Sequence, residues 1–135
     1  MGLQIIGILL LSSTYAPLQR GSIVNIASLA GVAGLQHSGA YTAAKHGVVG
    51  ITKTMALDYP EVKCNAIIPG YILTPLTSAP GYMRTNALNK VENWTPMKRF
   101  GLPEEVAEAN VWLLGNRSNF VHGSCLTMDG GYLAH

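Results

Sequence analysis

The sequence predicts an α/β layer fold built on a parallel sheet of about three strands. Three short apolar runs, at 22–27, 63–68 and 124–128, have the length and branched residues of strands, and helix-like segments separate them. None of the runs alternates polar with apolar residues, which is the pattern of strands covered on both faces. Strands that alternate with helices imply right-handed crossovers and parallel pairing.

Taken in order, the chain opens on an apolar stretch over 3–18, closed by Pro17 and read as a helix. Its first part, Gly2 to Leu11, has neither a basic leader region nor an obvious cleavage site and is too short to cross a bilayer. A buried helix is therefore expected there rather than a signal segment. Gly21 then opens the strand Ser-Ile-Val-Asn-Ile-Ala. From Gly39, the residues Ala40, Ala44, Val48, Ile51 and Met55 recur every three to four positions until Asp58-Tyr59-Pro60 ends the run. That spacing predicts a helix with one packed face. The second strand is closed by Pro69-Gly70 and the third by Asp129-Gly130-Gly131. Between them, residues 71–101 are punctuated by Pro75, Pro80, Gly81 and Pro96, and a loop of that length is expected to act as a lid or binding segment. Leu102-Pro103-Glu104-Glu105 opens a further helix to about Leu114, with proline and acidic residues suited to its first turn.

With 135 residues, 48% of them apolar and 12% charged, the chain is long enough for one buried core and too apolar for disorder. It reads as a single, apparently truncated domain over 1–135, without internal repeat or domain boundary. A net charge of +2 from singly scattered lysines and arginines provides no basic face for nucleic acid and no membrane-surface helix. Cys64 and Cys125 lie inside apolar runs, as buried reduced thiols in a cytoplasmic protein would. The four histidines show no metal-ligand spacing, so no metal site is expected.

The chemistry concentrates between Ser28 and Thr74. In an open parallel sheet, ligands bind beyond the carboxyl ends of the strands. Ser28 follows the first strand and Pro69 to Thr74 follows the second, while Tyr41 and Lys45 share one face of the intervening helix. An alcohol that loses hydride must also lose a proton. Tyrosine, with a reference pKa of about 10, is a poor base at neutral pH by roughly 4 kcal/mol, and a nearby ammonium favours its phenolate. Ser28 would hydrogen-bond the substrate oxygen as charge develops on it. In the reductive direction, Tyr41 would donate the proton.

The passages Gly-Ser-Ile-Val-Asn-Ile-Ala-Ser-Leu-Ala-Gly, Ala-Tyr-Thr-Ala-Ala-Lys-His-Gly, Asn-Ala-Ile-Ile-Pro-Gly-Tyr-Ile-Leu-Thr-Pro and Met-Asp-Gly-Gly-Tyr together closely resemble the short-chain dehydrogenase/reductase family, from about Gly21 onward. The resemblance implies a partial Rossmann-like, doubly wound sheet and hydride transfer between NAD or NADP and a secondary alcohol or ketone. It gives Ser28, Tyr41 and Lys45 the catalytic roles, and has Tyr41 and Lys45 also face the coenzyme, with Lys45 on the nicotinamide ribose. Pro69, Gly70, Ile72 and Thr74 match the segment beside the nicotinamide. Thr74 has a second reading as an N-cap before Pro75. Leu76, Tyr82, Met83 and Trp94 are candidates for the substrate pocket, and each equally suits ordinary packing. Trp112 is expected in a core or subunit contact, and Asn25 is read as a strand residue bonding neighbouring backbone.

Parts of the family pattern are missing. There is no Gly-x3-Gly-x-Gly turn for the pyrophosphate and no Asn-Asn-Ala-Gly stretch. With Gly7 and Pro17 matched to the family's helix, Gln4 falls where an active-site asparagine is usual, and the role is not carried over to it. The link Tyr59 to Lys63 is shorter than the family's. A strand at 22–27 without an earlier neighbour would leave an apolar sheet edge, so the chain is expected to be oligomeric, poorly soluble or a piece of a longer polypeptide. Family likeness adds a homo-oligomer as the expected assembly. A reading from another class is a non-catalytic interaction protein, or a truncated product, that pairs with intact relatives.

Overall fold

The computed structural model describes residues 21–134. The helix expected over 3–18, with Gln4, lies outside the described residues, as do the side chains of Tyr82 and Met83. Strand β1 (Gly21–Ile26) is followed by a 3-10 turn (Leu29–Gly31), helix α1 (Gly39–Asp58) and strand β2 (Val62–Pro69). Helices α2 (Pro75–Ser78), α3 (Tyr82–Trp94) and α4 (Pro103–Leu114), a second 3-10 turn (Asn116–Ser118) and strand β3 (Cys125–Met128) complete the order.

The sheet order is β1-β2-β3, and both pairs are parallel. Ile26 faces Ile67 in the first ladder, and Pro69 faces Met128 in the second. Successive residues of a strand point to opposite faces, and β2 uses both. On one side Ile68 packs with Ala27, Leu29 and Val49 of α1; on the other, Ile67 packs with Val24 and Leu113 of α4. Lys63 to Ile68 is buried without a break, which is why the run shows no polar alternation. The described part is thus a parallel sheet with helices on both faces, as the sequence predicts.

Several expectations change in detail. β1 begins one residue early and ends at Ile26, although the Ala27 amide still donates to the Ile67 carbonyl at 2.8 Å. Residues 71–101 are not a plain loop, since α2 and the 13-residue α3 occupy much of the segment. The sequence hides α3 because its packed face is narrow: among its described side chains only Ala87 and Val91, one turn apart, are buried, amid exposed polar residues. Among the described residues, the Asn25 side chain bonds α1 rather than neighbouring backbone, its amide donating to the Thr52 hydroxyl at 2.9 Å. Trp112 is 36% exposed while its neighbour Leu113 is completely buried, so of the two roles expected for the tryptophan the core one falls to Leu113.

The short link after α1 closes with the Val62 amide donating to the Tyr59 carbonyl at 2.9 Å. In the resulting register Asn65 turns inward, donating to the Val121 carbonyl at 2.8 Å and accepting from the Ser124 amide at 2.9 Å, which ties β2 to the start of β3. Its neighbour Lys63 is buried and donates to the Gly115 carbonyl at 2.6 Å and to the Ser118 hydroxyl at 2.9 Å. A cation at this place satisfies carbonyls left open at the end of α4 and opposes the negative end of the helix dipole. Burial pushes the Lys63 ammonium below its ordinary value. The folded state therefore releases this proton before the unfolded chain does, and the cost of burying the charge is greatest at neutral pH and eases as pH rises toward 10.5. Lys63→Ala removes both bonds and is expected to lower the unfolding free energy by about 2 kcal/mol in a urea titration. An unchanged midpoint would contradict the capping role.

Candidate active site

Three chain segments meet at the carboxyl ends of β1 and β2. Ser28 sits two residues past β1 with extended backbone, and its hydroxyl accepts from the Ala30 amide at 3.2 Å, so it caps the 3-10 turn. The hydroxyl proton remains available to an incoming oxygen. That turn lies hard against α1: a Cβ on Gly31 would stand 2.9 Å from the Lys45 carbonyl oxygen, so the absence of a side chain allows the approach. The position of Ser28 relative to the helix is fixed in this way.

Lys45 belongs to the buried stripe of α1, with Val49 and Thr52, and is 8% exposed. Its ammonium donates to the Ile26 carbonyl at the end of β1, at 2.9 Å, and burial lowers its pKa. One helical turn earlier, Tyr41 is 42% exposed, and the Lys45 Nζ lies 5.7 Å from its ring centroid, within cation–π range. One residue of the pair is anchored while the other is open to solvent.

At the end of β2, the Gly70 amide donates to the Met128 carbonyl at 2.9 Å. A Cβ on Gly70 would come within 2.7 Å of the Asp129 Cα, so Pro69-Gly70 leaves the sheet where only glycine fits. Tyr71, beside it, packs edge-on against Tyr132 with ring centroids 5.6 Å apart. Burial, together with Tyr132, pushes its phenol up to about 12, so Tyr71 stays protonated at working pH and is a packing group rather than a base. Ile72 then bridges Gly101. Thr74 does cap α2, accepting from the Thr77 amide at 3.4 Å, while Thr77 reaches back to the Thr74 amide at 2.8 Å.

Ser28 and Lys45 thus stand by the carboxyl end of β1, with Tyr41 beside Lys45, while Pro69 and Gly70 close the neighbouring β2 and lead into Ile72 and Thr74. The residues proposed for a substrate pocket are less enclosed: Leu76 is 66% and Trp94 51% exposed. A cavity of about 380 Å³ lies to one side, between Tyr71, Ile72, Gly101, Met128 and Asp129, and does not include Tyr41 or Lys45. Among the described residues no cluster suited to a metal ion occurs, and no helix is long and apolar enough to cross a membrane. Cys64 and Cys125 are both free, Cys64 being fully buried and Cys125 partly so.

One feature of the rim was not foreseen from sequence. Arg99 and Glu105 form a two-pronged ion pair, both contacts 2.8 Å, and Glu105 also accepts from the Leu102 amide at 2.8 Å. The Arg99 guanidinium, then the Leu102 amide, hold the Glu105 carboxyl down at about 2. Because this value lies below the ordinary one, the pair's contribution is present above the usual carboxylate range and is lost only as pH falls toward 2. Glu105 three residues into α4 was readable as a cap, but its partner across the turn was not.

A parallel sheet with helices on both faces fixes an α/β layer class and no particular reaction. Comparison with known proteins narrows it. The family model described as enoyl-(acyl carrier protein) reductase matches residues 2–133. Over 117 residues the chain is 43% identical to the 2,5-dichloro-2,5-cyclohexadiene-1,4-diol dehydrogenase of Sphingobium indicum, covering 85% of this chain and 47% of that protein. Among solved structures, a putative 2-deoxy-D-gluconate 3-dehydrogenase from Agrobacterium tumefaciens with bound NADP is 40% identical, with a TM-score of 0.75, over 85% of this chain and 47% of the other. A 4-hydroxyisoleucine dehydrogenase complexed with NADH is 30% identical, again with a TM-score of 0.75 and the same coverage. The chain belongs to the short-chain dehydrogenase/reductase family, and it spans about half the length of the curated relatives it matches.

Proposed function

We propose that this chain contributes the proton-transfer and nicotinamide-facing half of an NAD- or NADP-dependent dehydrogenase acting on a secondary alcohol or ketone, as a homo-oligomer in the cytoplasm. The observation that carries the reading is the Lys45 ammonium, buried between the end of β1 and the ring of an exposed Tyr41. The rim suits a nicotinamide riboside: Lys45 uses one of its three donors on Ile26, leaving others for ribose hydroxyls. When bound, the coenzyme supplies the hydride acceptor or donor.

In oxidation, Ser28 donates a hydrogen bond to the substrate oxygen and holds it beside the Tyr41 hydroxyl. The Tyr41 oxygen takes the hydroxyl proton as the C–H bond breaks, with the Lys45 ammonium 5.7 Å from the ring centroid. In reduction, Tyr41 returns that proton to the carbonyl oxygen. The relatives include a 2,5-dichloro-2,5-cyclohexadiene-1,4-diol dehydrogenase and a cyclohexanol dehydrogenase, which makes cyclic secondary alcohols the first substrates to try.

The test is to assay the 135-residue chain by itself and fused behind the amino-terminal half of the Sphingobium dehydrogenase, following reduced nicotinamide with cyclohexanol and cyclohexane-diols. Turnover by the fusion is expected. A folded fusion that binds NADH but oxidises none of these alcohols, and reduces none of the matching ketones, would overturn the reading and favour a non-catalytic partner role.

A further inference from the structure

Glu105 stands in the first turn of α4, which is anchored to the sheet through Leu113 and Val106. Its carboxylate holds the Leu102 amide and both arms of Arg99, so the turn between α3 and α4 is pinned at two points. Inside that turn, the Gly101 amide donates to the Tyr71 carbonyl and the Leu73 amide donates to the Gly101 carbonyl, each at 2.9 Å. These are the bonds of the Ile72–Gly101 bridge. Ile72 has one further anchor, its carbonyl accepting from the Thr77 hydroxyl at 2.7 Å. The approach is tight as well as bonded, since a Cβ on Gly101 would meet the Ile72 Cδ1 at 2.6 Å.

A continuous path therefore runs from a sheet-packed helix through Glu105, Arg99 and Gly101 to residues 71–73. We propose that the Arg99–Glu105 pair is a positioning device, which holds the segment from Tyr71 to Thr74 at the height where it meets the nicotinamide. The inference rests on the coenzyme reading given above for Ile72 and Thr74. Neither Arg99 nor Glu105 needs to touch substrate or coenzyme to act in this way. The fork supplies directional rigidity: two parallel N–H donors fix the orientation of the turn as a single ammonium contact does not.

The test has two independent readouts. In the 135-residue chain, Arg99→Ala is expected to speed amide exchange at Gly101 and Leu73 by roughly tenfold, while the Val24 and Ile67 amides of the ladder keep their rates. Arg99→Lys is expected to recover part of that protection. Gly101→Ala, which leaves the ion pair intact but displaces Ile72, is the second variant. In the fusion, both Arg99→Ala and Gly101→Ala are expected to weaken NADH binding by about fivefold or more, with a smaller change in the alcohol KM. Unchanged exchange at Gly101 and Leu73, or uniform acceleration across the sheet, would overturn the proposal. So would local loosening with unchanged NADH affinity. If the unsubstituted fusion binds no NADH while the exchange pattern is as expected, the coenzyme reading fails and the mechanical link stands.

Discussion

Tyr41→Phe in the fused enzyme is expected to lower the rate of alcohol oxidation by about 10²–10⁴-fold, the usual weight of a positioned acid or base. The substitution deletes one hydroxyl from a side chain that is 42% exposed and has no role in the core, so the thermal midpoint should stay within a degree or two. NADH affinity should change little, because the anchored Lys45 ammonium and the main chain of 69–74 remain. Loss of rate together with loss of fold would point to a packing role instead. A rate within threefold of the parent would remove Tyr41 from the mechanism. Lys45→Met provides the complementary comparison: it removes the charge and the bond to Ile26, and should depress both rate and coenzyme affinity.

Gly70→Ala is expected to destabilise the described fold by about 3 kcal/mol. The added Cβ would lie 2.7 Å from the Asp129 Cα and 2.9 Å from its Cβ, and backbone cannot turn aside as a flexible side chain can. Asp129 is itself committed, accepting from the Gly131 amide at 2.8 Å and the Leu133 amide at 2.9 Å. Relief therefore requires the ends of β2 and β3 to separate, which breaks the Gly70 to Met128 bond and moves the whole segment toward Thr74. Stability and activity should fall together. Gly34→Ala is the control, since nothing lies within 4 Å of its added Cβ, and no loss of stability is expected. Equal effects from the two substitutions would contradict the close approach drawn here.

The legible parts of this molecule are those with local, periodic signals. The parallel strands were visible in unbroken apolar runs, and α1 in its three-to-four spacing, ending at Asp58 as Tyr59-Pro60 foretold. Ser28, Tyr41 and Lys45 converge because a strand end and the helix after it must share a rim. Helix α3 was not legible, because two buried residues among exposed asparagines and an arginine resemble a polar loop. The Ile72–Gly101 bridge and the Arg99–Glu105 fork were missed for a different reason. Both join residues through the turn between α3 and α4, and no periodic spacing in the sequence encodes its geometry. Asn25 was misread for the same reason, since its partner Thr52 lies on a helix 27 residues away.

The most direct test of the central claim, that the rim from Ser28 to Thr74 holds the nicotinamide beside Tyr41, is a crystal structure of the fused protein with NADH. The account predicts the ribose hydroxyls at the Lys45 Nζ, the carboxamide against the main chain of Ile72 and Thr74, and an open position between the Ser28 and Tyr41 hydroxyls for the substrate oxygen. A nicotinamide ring seated elsewhere, for example in the cavity beside Met128 and Asp129, would contradict it.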